Sequence, residues 1–87
     1  MKINEQLIKH YLARVNDKNE IHDDIVPGQL VCDIVMNKLD ITWSSYKIKY
    51  FRTIGINEDI DYSMKNKDTI TVWNKEDGVK LIVVKIR

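Results

Sequence analysis

The sequence predicts a small α+β domain in which three helices precede a C-terminal antiparallel β-hairpin or three-stranded meander, an order typical of a winged helix-turn-helix. Apolar residues recur at helical spacing through the chain up to residue 54. After residue 56 the pattern changes to an alternation of period two, in segments rich in β-branched and aromatic residues. The length of 87 residues suits one domain, residues 1–87, and leaves no room for a second core.

The first predicted helix spans about residues 3–15, because its apolar residues form one stripe that the charged residues avoid. The stretch 16–28 is polar and rich in Asn and Asp, which predicts a loop. Within it, Ile25 and Val26 are expected to form a short extended piece. Pro27 disfavours helical geometry in the residue before it and suits the start of the next helix.

The second predicted helix covers residues 29–39 and is apolar on two sides. Only Asp33 and Asn37 form a polar strip, so we expect this helix to be buried from two directions. Asp40 and Ile41 then leave room only for a tight turn.

The third predicted helix, residues 42–54, carries the functional hypothesis. Thr42 is a suitable N-cap, and Gly55 follows the last apolar residue, where a left-handed C-cap favours glycine. At about 100° per residue, the aromatic residues and the cations separate onto opposite sides of this helix. The apolar side holds Trp43, Tyr46, Tyr50, Phe51 and Ile54; the polar side holds Ser45, Lys49 and Arg52, with Ser44 and Ile48 at the border.

Three predicted strands follow, in the segments IDYSMK, DTITVWN and VKLIVVKIR. Asn66-Lys67 separates the first two. The segment KEDG separates the second from the third, and its Asp77-Gly78 is a strong turn signal.

Composition excludes several classes of protein. Charged residues make up 31% of the chain and hydrophobic residues 44%, the balance of a globular domain. One cysteine cannot form an internal disulfide, no apolar run reaches the roughly 20 residues that span a bilayer, and the start lacks the apolar core of a signal peptide. We therefore expect a cytoplasmic protein without a membrane partner.

No motif predicts an enzyme or a cofactor. The chain has three glycines, no phosphate-binding Gly-rich loop and no serine in a nucleophile elbow. Glu58, Asp59 and Asp61 lack the Gly-punctuated spacing of a calcium loop, so no metal site is predicted either.

Charge segregation predicts binding to double-stranded DNA. The net charge is only +1, but residues 41–55 contain three cations and no acid. In a winged helix, the helix at 42–54 would enter the major groove, where Ile48 could meet a thymine methyl. Lysines near the hairpin tip would bind neighbouring phosphates. The predicted contacts are Thr42, Ser44, Ser45, Ile48, Lys49, Arg52, Lys65 and Lys67.

The stretch TWSSYKIKYFRTIGINEDIDY resembles the amino-terminal domain of phage antirepressors of the AntA, BRO-N and KilA-N type. In that family a Trp opens a basic amphipathic helix that closes in a Gly–hydrophobic–x–Glu–x–x–Asp–aromatic signature. The resemblance covers about 20 to 35 residues and implies a phage or mobile-element protein, a transcriptional regulator, that binds DNA or a DNA-bound regulator. The matching residues are Trp43, Gly55, Ile56, Glu58, Asp61 and Tyr62.

Two alternatives stay open at this point. The chain could instead be a phage-encoded protein-binding module that modulates a host protein through surfaces near the first helix and the loop at 16–24. A homodimer is also open, with the last strand, KLIVVKIR, pairing edge to edge between two copies; the alternative is that this strand pairs only within its own sheet. The DNA hypothesis requires that the rings of Trp43, Tyr46, Tyr50 and Phe51 point inward.

Overall fold

The computed structural model describes residues 1–14 and 25–87, so the predicted loop at 16–24 and the end of the first helix at Val15 lie outside the described residues. Two helices and one four-stranded antiparallel sheet make up the described chain. The strand order in the sheet is β1-β4-β3-β2. The elements are α1 (Glu5–Arg14), α2 (Gly28–Lys38), β1 (Tyr46–Tyr50), β2 (Asp61–Asn66), β3 (Thr69–Asn74) and β4 (Gly78–Lys85).

The fold is α+β, but the prediction of three helices followed by a hairpin is wrong, and with it the winged helix-turn-helix. The predicted helix at 42–54 is instead a loop, strand β1 and a second loop. Nine of the 14 residues from 41 to 54 are β-branched or aromatic, and YKIKY alternates with a period of two. Such a segment fits a half-buried strand better than a helix once β4 offers it a partner.

Both predicted N-terminal helices are present. Asn4 caps α1, since its Oδ1 accepts the N–H of Leu7 at 2.8 Å, and Ile8 is the fully buried residue of its apolar stripe. Leu7 itself is exposed. Helix α2 begins directly after Pro27, as predicted, and its burial on two sides is confirmed by Leu30, Val31, Cys32, Val35 and Met36.

Short backbone links fix the ends of α2. The Val26 N–H donates to the Ile54 carbonyl at 2.7 Å, and Ile25 forms an isolated bridge with Gly55. These bonds confirm the extended piece before Pro27. They also show that Gly55 is not a helix C-cap. At the other end, Asp40 has a left-handed φ of 57°, which lets the chain turn directly toward β1.

The meander of β2, β3 and β4 is confirmed. An Asx turn joins β2 to β3, because Asn66 Oδ1 accepts the Asp68 N–H at 2.8 Å. Gly78, at φ 83°, follows the turn between β3 and β4. Strand β4 lies between β1 and β3, so both of its edges are occupied and it cannot pair with a second copy.

The sheet has two different faces. Ile70 and Val72 of β3 pair with Val83 and Leu81 of β4, and all four are buried in one core with both helices. Because strand side chains alternate, the intervening residues lie on the opposite face, which we call the open face. The open face carries Lys47, Lys49, Thr69, Thr71, Trp73, Ile82 and Val84. Within the described chain, neither helix is long and apolar enough to cross a membrane.

Candidate functional site

Among the described residues, β1 is an edge strand: β4 pairs with one of its sides and no strand pairs with the other. The backbone groups of Ser45 and Phe51, which flank it, point to the β4 side: the Ser45 carbonyl accepts the N–H of Ile86, the residue after β4, and the Phe51 N–H donates to the Lys80 carbonyl at 2.9 Å. In an antiparallel pair every second residue is hydrogen-bonded to the partner strand, so the backbone N–H and C=O groups of Lys47 and Lys49 also point toward β4. The backbone N–H and C=O groups of the remaining residues, Tyr46, Ile48 and Tyr50, therefore point away from the sheet; we call them the β1 edge.

A groove of about 410 Å³ opens beside the Tyr50 end of the β1 edge. Tyr50 is 62% exposed and Phe51 57% exposed, so two large rings stand in solvent at its rim. The prediction that these two rings point inward is wrong, whereas Trp43 and Tyr46 do pack partly against the core. The groove is lined by Ile25, Val26, Pro27, Gly28, Tyr50, Phe51, Arg52, Thr53, Ile54 and Leu81.

Helix α2 positions the two tyrosines of β1. Gln29 donates from Nε2 to the Tyr46 hydroxyl at 2.7 Å and to Asp33 Oδ1 at 2.9 Å. Burial, partly offset by the Gln29 hydrogen bond, raises the pKa of Tyr46, so this hydroxyl stays protonated at neutral pH. Tyr50 lies directly against Gly28, where a Cβ would overlap the ring carbon Cε1. Glycine therefore lets the ring of Tyr50 rest on the start of α2.

Lys47 and Lys49 are exposed, and their cross-strand neighbours on β4 are apolar. Their partners on β4 are Val84 and Ile82. No ion pair joins either lysine to a carboxylate in the part of the chain that the structure describes. The two ammonium groups thus lie on the open face next to the β1 edge, without a counter-charge from the described residues.

Lys80 has the opposite environment. It is the extra residue of a β-bulge, because the register moves from Val72–Leu81 to Trp73–Val79. The bulge turns Lys80 inward, and its Nζ lies 3.0 Å from Glu58 Oε2 and 2.9 Å from Asp77 Oδ2, and donates to the Thr53 carbonyl at 3.0 Å. We call Lys80, Glu58, Asp77, the Thr53 carbonyl and Asn74 the Lys80 network.

The carboxylates of the Lys80 network are held in their charged forms. Burial alone would raise the pKa of Glu58, but hydrogen bonds from the Gly55 N–H, Lys80 and Asn74 outweigh it and lower the pKa. The hydrogen bond and charge of Lys80 lower the pKa of Asp77. For Lys80, the two carboxylates outweigh burial and raise the pKa. This network joins the loop after β1, which contains Thr53 and Glu58, to strand β4, so the role of Lys80 is structural.

The predicted contact residues are not brought together. The loop before β1 carries Thr42, Ser44 and Ser45, and Arg52 follows the strand. Ile48 packs partly against the core and lies on the opposite face of the sheet from Lys49. Lys65 is a bulge residue of β2 and Lys67 lies in the next turn. Strand β2 is the far edge of the sheet, three strand spacings or roughly 14 Å from β1.

Glu58 and Asp59, two acids that follow β1 in the chain, form ion pairs with groups other than the lysines of β1. Glu58 is bound to Lys80, and Asp59 Oδ1 lies 3.3 Å from the N-terminal amine of Met1. The sequence-based selection of contacts omitted Lys47, which shares the open face with Lys49. It also omitted Tyr50 and Gly28 at the groove. The period-two alternation of YKIKY is the signal that could have pointed to Lys47 and Tyr50, but it does not point to Gly28.

The described residues contain no group of three or more His, Cys, Asp or Glu side chains arranged to hold a metal ion. Cys32 is buried and free, and burial, with the nearby charge of Asp33, raises the pKa of its thiol to about 11. The thiol is therefore protonated at neutral pH and is a poor nucleophile.

No protein-family model matches this chain, and no curated protein or solved structure is similar enough to match it. The resemblance to phage antirepressor domains thus stays a prediction. The amphipathic helix that the resemblance implies is replaced by strand β1 and its flanking loops.

Proposed function

We propose that this protein is a small binding module that docks an extended segment of another protein along the β1 edge. The observation that carries the proposal is the row of outward N–H and C=O groups of Tyr46, Ile48 and Tyr50 beside a groove with two exposed rings. Adding a strand to a free sheet edge satisfies those groups, and pockets beside the edge select side chains.

Hydrogen exchange at single amides tests the proposal. In the free protein, the amides of Tyr46, Ile48 and Tyr50 are expected to exchange faster than those of Lys47 and Lys49, which are bonded to β4. Peptides of alternating apolar and polar residues should slow exchange at the first three amides only. If no alternating peptide of acidic, neutral or basic character protects them, the proposal is wrong.

The variant Ile48→Pro sharpens this test, because proline removes the middle outward N–H and is tolerated on the solvent side of an edge strand. Ile48→Ala is the matched control, since it also loses the side chain but keeps the N–H. Peptide affinity is expected to fall further in Ile48→Pro than in Ile48→Ala, while both variants keep the circular dichroism spectrum of the folded sheet.

A second candidate function is nucleic-acid binding on the open face. The observation that favours it is that Lys47 and Lys49 share this face with Trp73 and have no acidic cross-strand partner. Sheet faces that combine cations with an aromatic ring bind single strands by phosphate attraction and base stacking.

Salt dependence tests this second candidate. Affinity for a single-stranded oligonucleotide or a duplex should fall with a log–log salt slope of about −0.7 or −0.9 per phosphate contact, respectively. The double variant Lys47→Glu, Lys49→Glu should abolish binding, whereas Lys65→Glu, Lys67→Glu makes the same charge change at the far edge and should not. Equal losses in the two variants would mean only non-specific attraction.

We further propose that the protein acts in the cytoplasm. Its single cysteine, Cys32, is free and buried, which suits a reducing compartment.

A further inference from the structure

We propose that the β1 edge selects an acidic strand, in which carboxylates alternate with apolar residues. This inference rests on the proposed function, strand addition at β1, and names the chemistry of the partner. It follows from the positions of Lys47 and Lys49 relative to the β1 edge.

The hydrogen-bond pattern determines which partner residues meet the lysines. An incoming antiparallel strand forms bonded pairs with Tyr46, Ile48 and Tyr50, whose backbone groups point outward. Lys47 and Lys49 then occupy the non-bonded pairs, where facing side chains approach most closely, with Cα atoms about 4.5 Å apart. Partner residues at these two positions lie beside two ammonium groups that form no ion pair with a carboxylate of the described residues.

Carboxylates are the side chains that these positions favour. The β4 neighbours of the lysines, Val84 and Ile82, offer no negative charge. Opposite charges directly across a strand pair are favourable, and like charges are unfavourable. A partner with Asp or Glu at alternate positions would therefore supply the missing counter-charge on the open face.

The other side of the partner strand must be apolar. Its remaining residues lie on the same face as Tyr46 and Ile48, both of which pack partly against the core. At the Tyr50 end this face leads to the groove, whose floor contains Val26, Ile54 and Leu81 and which is large enough for a bulky apolar side chain. The partner pattern is therefore apolar–acidic–apolar–acidic–apolar.

The same charges disfavour a second copy of this chain at the β1 edge. A twofold antiparallel pairing centred on Ile48 would place Lys47 of each copy opposite Lys49 of the other. Four uncompensated ammonium groups would then meet on one face, and lysines on an edge strand oppose such self-pairing.

A panel of labelled peptides tests the inference by fluorescence anisotropy with the full chain. The parent probe alternates valine and glutamate over five central positions, and two controls carry glutamine or lysine in place of glutamate. Two further probes carry N-methyl groups on the valines, whose N–H groups would face β1, or on the glutamates, whose N–H groups would face away.

We expect the glutamate probe to bind about 2- to 30-fold more tightly than the glutamine probe, the ratio that two cross-strand ion pairs provide, and the lysine probe to bind most weakly. In the Lys47→Glu, Lys49→Glu variant this order should reverse, while Lys65→Glu, Lys67→Glu should retain it. Methylation of the valines should abolish binding, and methylation of the glutamates should leave it unchanged.

The outcomes separate the two proposals. Equal affinity for the three charge types, with valine methylation still blocking, overturns the acidic partner and leaves strand addition standing. Binding that ignores valine methylation overturns strand addition, and the inference with it. Failure of every peptide, together with oligonucleotide binding lost in Lys47→Glu, Lys49→Glu, replaces both with the nucleic-acid candidate.

Discussion

The lysine of the Lys80 network is buried and paired, whereas the lysines beside the β1 edge are exposed, although all of them lie on strands of one sheet. Lys80 is 2% exposed and bonded to two carboxylates and a carbonyl. Lys47 and Lys49 are exposed and unpaired among the described residues. A buried cation requires partners within its own chain, whereas an exposed one is free to attract another molecule. Net charge alone could not distinguish these roles.

The largest expected effect is at Lys80. Lys80→Met leaves Glu58 and the Thr53 carbonyl without their buried donor, and we expect a loss of about 2–4 kcal/mol in the free energy of unfolding. Lys49→Met is the matched control on β1 and should change stability by less than about 0.5 kcal/mol. Urea denaturation of both variants measures the difference. Similar losses at the two positions would contradict the contrast between the sites.

The second-largest expected effect is the loss of stability in acid. The pKa values of Glu58 and Asp77 are lowered in the folded protein, so the stability that these groups contribute is present above their unfolded pKa values and is lost as pH falls through the folded ones. The free energy of unfolding should therefore decline below about pH 5. Lys80, whose pKa is raised, keeps its contribution until pH rises through that higher value.

The variant Glu58→Gln isolates one part of this pH dependence. It retains a hydrogen-bonding side chain beside Lys80 but removes the charge, so we expect a cost of about 1–2 kcal/mol at neutral pH and a shallower decline in acid. Thermal unfolding at several pH values measures both. An unchanged acid slope would mean that other carboxylates determine it.

The two regions also differ in how far the sequence predicts them. The meander and both helices follow from local periodicity, and Gly78 and Pro27 mark their boundaries. The sequence predicts a helix in place of β1 because the rings and lysines of this segment separate on a helical wheel as well as in a period-two alternation. Pairing with β4 decides between helix and strand, and this partner is distant in sequence: Tyr46 pairs with Lys85, about 40 residues later. Such long-range pairing leaves no signal in a local window.

The same error carried over to the candidate site. Lys49 is exposed, as the sequence predicts, but Ile48, which the helix would place beside it, lies on the opposite face of the strand. Tyr50 was assigned to the core and is exposed instead. The inward turn of Lys80 depends on a β-bulge, which the period of the sequence does not show.

The smallest expected effect is at Gly28, on the β1 side of the comparison. In Gly28→Ala the new Cβ would overlap the ring of Tyr50, but this ring is largely exposed and can swing away. Alanine also favours the helix over glycine. The two effects oppose each other, so we expect stability to change by less than about 0.5 kcal/mol while the NMR signals of the Tyr50 ring shift.

A double-mutant cycle separates these two effects. In a Tyr50→Ala background the overlap is absent, so Gly28→Ala should stabilise the protein by up to about 0.5 kcal/mol through helix propensity alone. An equal response in both backgrounds would show that the ring does not rest on Gly28. Peptide affinity should fall in Gly28→Ala, because the displaced ring changes the mouth of the groove while the Lys80 network stays intact. Unaltered affinity would place the docked strand away from the Tyr50 end of the β1 edge.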